Sequence, residues 1–225
     1  MSDSHKVAIV AALEREVWPL VKGWQTTQQR HQDRSFKFFE HAGVVLVCGG
    51  IGAEAARRAA EAIIMLYKPA LIISAGFAGG LDPTLRAGHA LTPRLVIDAG
   101  DGSRVDSGTG EGVLVSFAAV ADSHQKASLA KVYGADMVDM EAAAVSRCAQ
   151  AHGVQFMACK VVSDQRDQRL PPVARFVAPD GTFQPFRFLA HVAVRPWLWA
   201  GVGQLARNSS IAAQSLCKQL AASTQ

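Results

Sequence analysis

The chain has no apolar run near the roughly 18 residues that a membrane-spanning helix needs, which argues against an integral membrane protein. It has no CxxC pair and no HExxH. Its four cysteines (Cys48, Cys148, Cys159 and Cys217) stand far apart, and its seven histidines show no metal-ligand spacing. Neither a metal nor a disulfide nor any cofactor is expected. Cys48 and Cys159, set inside apolar runs, read as reduced core thiols. There is no block of like charge: 23 Lys and Arg against 19 Asp and Glu give a net charge of +4, spread along the chain. A nucleic-acid partner is therefore not expected. Repeats and low-complexity segments are missing too. Residues 1–6 lead straight into an apolar strand and offer no signal-peptide cleavage region, so the cytoplasm is the expected compartment.

What is present suits one compact domain over residues 1–225: 49% hydrophobic and only 19% charged, enough to bury a sizeable core. Short β-branched runs alternate with longer Ala-rich stretches, the pattern of an α/β layered fold. Strands are predicted at residues 7–13, 36–39, 44–48, 70–74, 91–98, 112–117, 137–140 and 156–162. Helices are predicted at residues 14–22, 53–67 and 141–151, with a closing helix at about 203–221. In residues 53–67 Ala56, Ala59, Ala60, Ile63 and Ile64 share one face at helical spacing. Residues 99–111, rich in Gly, Asp and Ser, read as a loop. After Asp164 the character changes, and an apolar segment fills residues of about 170–200.

In open α/β sheets ligands bind beyond the carboxyl ends of the strands. Four such ends carry chemistry-bearing residues: Glu14-Arg15-Glu16, Gly76 to Gly80, Asp139-Met140-Glu141 and Ser163-Asp164. Each taken alone has a plainer explanation, since an acid after a strand commonly caps or favours a helix N-terminus. Gly50-Ile51-Gly52 fits a loose dinucleotide-binding fingerprint, which also requires an acid about 20 residues on. Residues 62–81 contain no Asp or Glu, so a nicotinamide cofactor is disfavoured and a tight turn is the default for Gly50 and Gly52. Gly76, Gly79 and Gly80 would let a flat ligand approach the backbone.

Together these sites resemble the nucleoside phosphorylase superfamily, specifically its methylthioadenosine/adenosylhomocysteine nucleosidase branch. The matching pieces are Val7-Ala8-Ile9-Val10-Ala11-Ala12-Leu13-Glu14-Arg15-Glu16-Val17, Gly50-Ile51-Gly52, Ala75-Gly76-Phe77-Ala78-Gly79-Gly80-Leu81, Val138-Asp139-Met140-Glu141-Ala142 and Val161-Val162-Ser163-Asp164, in the family's order. The later stretch is similar to a narrower group, the hopanoid-associated phosphorylases, through Leu170-Pro171-Pro172, Arg175-Phe176-Val177, Pro179-Asp180-Gly181, Phe188-Leu189-Ala190-His191 and Arg195-Pro196-Trp197-Leu198-Trp199. That group is understood to remove adenine from adenosylhopane. The resemblance implies a three-layer αβα fold with a central mixed sheet, assembled as a homodimer or larger homo-oligomer.

It also implies roles. Asp164 matches the general acid that protonates adenine at N7, which requires it to hold a proton; partial burial is expected to favour that. Glu141 matches the carboxylate that accepts the ribose 2′- and 3′-hydroxyls, with Met140 beneath the sugar. Ala78 and Gly79 would offer backbone to the purine, Ser163 would support Asp164, and Phe117 would stack on the base or else serve as a core aromatic. Glu16 matches the carboxylate that activates water. The Gly-Asp-Pro phosphate loop of phosphorolytic relatives is absent. Yet the nucleosidases carry Ser where this chain has Phe77 and Arg where it has Lys160, so Lys160 could bind phosphate as a point charge or pair with Glu16. Water and phosphate both stay open as acceptors. A lipid-linked substrate needs an apolar groove or peripheral membrane contact. Phe183, Phe186, Phe188, Leu189, Val192, Val194, Trp197, Leu198 and Trp199, with Arg187, Arg195 and Arg207, could supply it, or could be core or interface. The rival readings are an enzyme for small soluble nucleosides and a non-catalytic nucleoside-binding protein.

Overall fold

The computed structural model describes residues 7–224. The expectation about the chain start, residues 1–6, lies outside the described residues. In chain order the elements are β1 (Val7–Ala11), α1 (Glu14–Val21), β2 (Gln25–His31), β3 (Arg34–His41), β4 (Val44–Cys48), α2 (Ala53–Tyr67), β5 (Leu71–Gly80), β6 (Ala90–Leu91) and β7 (Leu95–Asp98). They continue with β8 (Arg104–Asp106), β9 (Val113–Ser116), α3 (Ser123–Tyr133), β10 (Met137–Asp139), α4 (Ala142–Ala151), β11 (Gln155–Asp164), α5 (Pro185–Ala193) and α6 (Trp199–Ser223).

β1 sits at the centre, parallel to β4 on one side and to β5 on the other. Both of its faces are covered, which is why it reads as an unbroken apolar run rather than an alternating one. Ala8 and Val10 pack into the cluster that holds α2 and α4, while Ile9 and Ala11 pack into the one that holds α1 and α6. Three αβα layers result. β11 runs parallel along the whole of β5, and β10 meets the far end of β5 antiparallel at Gly79 and Gly80. From β10 the sheet continues through β9 and β7 to β8, and from β4 through β3 to β2, so it is mixed, as expected. No helix among the described residues is long and apolar enough to cross a membrane.

Four features differ from the sequence expectations. β2 (Gln-Thr-Thr-Gln-Gln-Arg-His) was not visible as a strand, because as the outermost strand it has no buried face to encode. The predicted strand at residues 91–98 is two, β6 and β7, interrupted at Thr92-Pro93-Arg94. Residues 99–111 are not wholly a loop: β8 pairs antiparallel with β7 within them. α3 was not anticipated, since it buries only Lys126 and Leu129. In the last quarter, Phe188 and Val192 of α5 pack on Phe176, and the closing helix α6 begins at Trp199 and lays Ala212, Leu216 and Leu220 on the sheet.

Candidate active site

The carboxyl ends of β1, β5, β10 and β11 open into one cleft, lined by Glu16, Phe77, Ala78, Gly79, Met140, Glu141, Ser163 and Asp164 among others. Residues far apart in sequence are thus brought together. Phe117 does not line this cleft. Its amide donates to Asp139 O (2.8 Å) at the end of β9, and it packs, partly buried, against the cluster that holds Ile97, Val115 and Leu129. Ala119, Val120 and Ala121 line the cleft nearby.

Glu141 stands at the N-terminal boundary of α4. Its Oε1 accepts the amide of Gly52 (2.8 Å) and its Oε2 the amide of Met140 (3.2 Å). Gly52 therefore does more than turn the chain: at φ +98° it aims its N–H across to β10's end. Burial raises the pKa of Glu141, with the charge of Asp139 adding to it, against Lys160 and the two amides.

Glu16 lies in the first turn of α1, 5% exposed. Its Oε2 has no hydrogen-bond partner among the described residues. Burial, with the charge of Glu141 second, pushes its pKa up to about 7, against Arg15, Lys160 and the backbone at Leu13. Gly76 leaves the space above it open, for a Cβ there would sit 3.1 Å from Glu16 Oε2.

Lys160 does not pair with Glu16, nor is its ammonium open to the cleft. It is 1% exposed and bonds Asp139 Oδ2 at 2.9 Å. Burial lowers its pKa, but Asp139, Glu141 and Glu16 outweigh that and the net direction is up. Asp139 also accepts from Ser116 Oγ (2.5 Å) and from the Ala142 amide (2.9 Å), so it caps α4 while neutralising the lysine. Asp139 at the end of β10 thus takes the ammonium that could otherwise have paired with Glu16 or met a phosphate.

Asp164 ends β11, where a bulge at Ser163 breaks the register and sets Asp164 opposite Gly79. Such bulges re-aim side chains. Ser163 Oγ donates to Asp164 Oδ1 (2.7 Å). The other oxygen, Oδ2, is met by the ammonium of Lys126 from α3. Sequence reasoning looked to burial alone to keep a proton at Asp164. In the structure the side-chain nitrogen of Lys126 also meets that carboxyl. Lys126 was missed because its helix was missed. The legible signal was the Asp122-Ser123-His124-Gln125 capping box that starts α3.

The apolar segment after Asp164 reaches the same cleft. Leu170, Val173, Val177 and Phe183 line it, and Arg15 stacks over the Phe183 ring at 5.2 Å. Gly181 O accepts the Ile51 amide (2.8 Å), fixing the segment beside the Gly52–Glu141 contact. Among the described residues no group of three or more His, Cys, Asp or Glu is arranged to hold a metal.

A 5′-methylthioadenosine/S-adenosylhomocysteine nucleosidase from Marinomonas sp. (strain MWYL1) is 28% identical over 95 residues, which are 40% of this chain and 41% of that protein. The matched stretch thus spans less than half the length of that curated relative. Among solved structures, the nucleosidase of the same description from Neisseria meningitidis, in complex with methylthio-immucillin-A, superposes with a TM-score of 0.69 at 19% identity, covering 96% of this chain and 97% of that one. The futalosine hydrolase of Helicobacter pylori gives 0.70 at 16%, covering 96% of each. At these identities the likeness is one of fold. The Phosphorylase superfamily profile matches residues 6–124 and 109–178, well over half of the sequence. The chain belongs to the phosphorylase superfamily.

Proposed function

We propose that this protein is an enzyme that cleaves the N-ribosidic bond of an adenine nucleoside, with water as the acceptor and adenosylhopane as the substrate. The observation that carries the reaction is the convergence of three carboxyl groups, Glu16, Glu141 and Asp164, on one cleft. Bond breaking builds positive charge on the sugar and negative charge on the departing base. Glu141 is positioned to accept the ribose hydroxyls and to favour the nearby cation. Asp164, held by Ser163, delivers a proton to N7 of the base.

Glu16 takes the proton of the attacking water. Its pKa of about 7 suits a base that must work near neutrality. Water is favoured over phosphate because the one buried ammonium beside this end of the cleft, Lys160, is already neutralised by Asp139. No cofactor takes part in this scheme.

Two observations support a lipid-linked 5′ group. The segment after Asp164 gives the cleft an apolar wall, and beside it Phe186, Leu189, Val194, Trp197 and Trp199 are exposed. After Asp180 the chain has no acid at all, while Arg187, Arg195, Arg207 and Lys218 remain. Such a surface suits contact with an anionic bilayer at the cytoplasmic face. The names of the similar nucleosidases favour a second reading, a soluble substrate such as methylthioadenosine. Assembly as a homodimer or larger belongs to the proposal and is checked by sedimentation.

The test measures adenine release from adenosylhopane and from methylthioadenosine, each with and without phosphate, and identifies the sugar product. Phosphate-independent release of free ribosylhopane is the expected result. Strict phosphate dependence overturns hydrolysis, preference for methylthioadenosine overturns the lipid substrate, and tight binding of both with no adenine released overturns catalysis.

A further inference from the structure

Lys126 is 1% exposed and is one of only two buried residues of α3, the other being the apolar Leu129. Its ammonium bonds Asp164 Oδ2, the carbonyl of Gln165 (2.8 Å) and the carbonyl of Asp164 (3.4 Å). An ammonium has three N–H groups and no acceptor, and all of these contacts fall on two consecutive residues at the end of β11. Gly79 is what gives it room: a Cβ at that position would stand 2.9 Å from Lys126 Cε and 3.2 Å from Asp164 Oδ2. Burying a charge to hold one backbone turn is costly, and an apolar side chain of similar length would fill the same space. What the lysine adds is a transferable proton in contact with the carboxyl that faces the base.

We propose that Lys126 is the proton source for the departing purine, acting through Asp164. This rests on the assignment of Asp164 to the leaving-group side of the cleft. As the C1′–N9 bond breaks, its electron pair stays on the base. An N–H proton of Lys126 passes to the Asp164 carboxyl and on to N7, so adenine leaves neutral, Asp164 ends as it began, and Lys126 is left as the free amine. Solvent returns that proton once the base has gone, and the proton of the attacking water, taken by Glu16, closes the balance. Lys126 does not touch the substrate. It is a positioning residue that also keeps Asp164 supplied.

The experiment compares two leaving groups. Adenine must be protonated to depart, whereas p-nitrophenolate leaves as a stable anion. Lys126→Met is expected to lose about 100-fold or more in kcat on the better of the two adenine nucleosides above. On p-nitrophenyl β-D-riboside it should stay within about 5-fold of the parent. Lys126→Gln guards against a folding failure, since its amide can still donate to Asp164 but releases no proton; the same split is expected. Equal losses on both substrates would assign Lys126 a structural role and overturn the proposal, and full adenine release by Lys126→Gln would do so too. Asp164→Asn separates the layers. If it keeps full adenine release, the leaving-group assignment itself fails. If it loses adenine release while both Lys126 variants keep it, only the proton-source proposal falls.

Discussion

At the scale of single residues, the cleft trades stability for reactivity, most clearly at Glu16. Its folded pKa of about 7 lies above the ordinary carboxylate value of 4.5, so the native state binds the proton more tightly than the unfolded chain does. Stability is therefore greatest below pH 4.5 as far as this group is concerned, falls as pH rises between 4.5 and 7, and is lowest above 7. Glu16→Gln should match the parent in unfolding free energy from urea titration near pH 4.5 and exceed it by about 3 kcal/mol at pH 8. The same variant should lose at least about 100-fold in turnover. In the parent, kcat/KM should climb with pH through about 7 as the base form of Glu16 accumulates. Lys160 behaves in the opposite way. Lys160→Met leaves Asp139 charged, buried and without its partner. It should cost about 3–5 kcal/mol in the same urea titration. Glu16, Glu141 and Asp164 stood out in the sequence only weakly as acids at strand ends, and chiefly through the ordered set of pieces that resembles the superfamily. The Asp139–Lys160 pairing was not legible, since nothing in spacing says which of two neighbouring carboxylates a distant lysine will reach.

At the scale of elements, legibility followed burial. β1, β4 and α2 were readable because their apolar residues recur at the period of their own secondary structure. β2 and β8 lie at the two ends of the sheet path and carry polar side chains, so their identity rests on backbone pairing that composition does not record. α3 shows weak patterning for a related reason: one of its two buried residues is the charged Lys126. Its boundaries were nonetheless written in local chemistry, with Asp122 and Gln125 exchanging hydrogen bonds at one end and Gly134 in the left-handed region at the other. Because α3 carries Lys126, its anchoring matters to the cleft. Asp122→Ala removes the cap, and a loss of about 1 kcal/mol is expected in thermal unfolding. A fall in adenine release with p-nitrophenyl riboside cleavage unchanged should accompany it.

At the scale of the whole molecule, the first three-quarters of the chain build the sheet and most of the cleft, and the last quarter adds Leu170, Val173, Val177 and Phe183 to its wall. Its apolar character was plain in the sequence. Which residues face inward was not: Phe188 and Val192 are buried on Phe176, whereas Phe186 is 86% exposed and Trp197 74%. If that face meets lipid, the protein should co-sediment with phosphatidylglycerol vesicles at low salt and less at high salt. A Phe186→Ser, Trp197→Ser double variant should stay in the supernatant and keep its activity on methylthioadenosine. Co-sedimentation unaffected by either salt or the double variant would remove the membrane from the scheme.

The bond from the Ile51 amide to Gly181 carries a practical lesson for anyone wishing to redesign this scaffold. One peptide further on, Gly52 hands its own amide to Glu141, so the last quarter of the chain and the sheet share a hinge pin. A Cβ on Gly181 would come within 2.6 Å of Ile51 O, leaving almost no latitude in how that joint is made. Grafting a foreign segment to change substrate choice should therefore succeed only when the Asp180-Gly181-Thr182 corner travels with the recipient. Cutting it away would blunt the chemistry along with the selectivity.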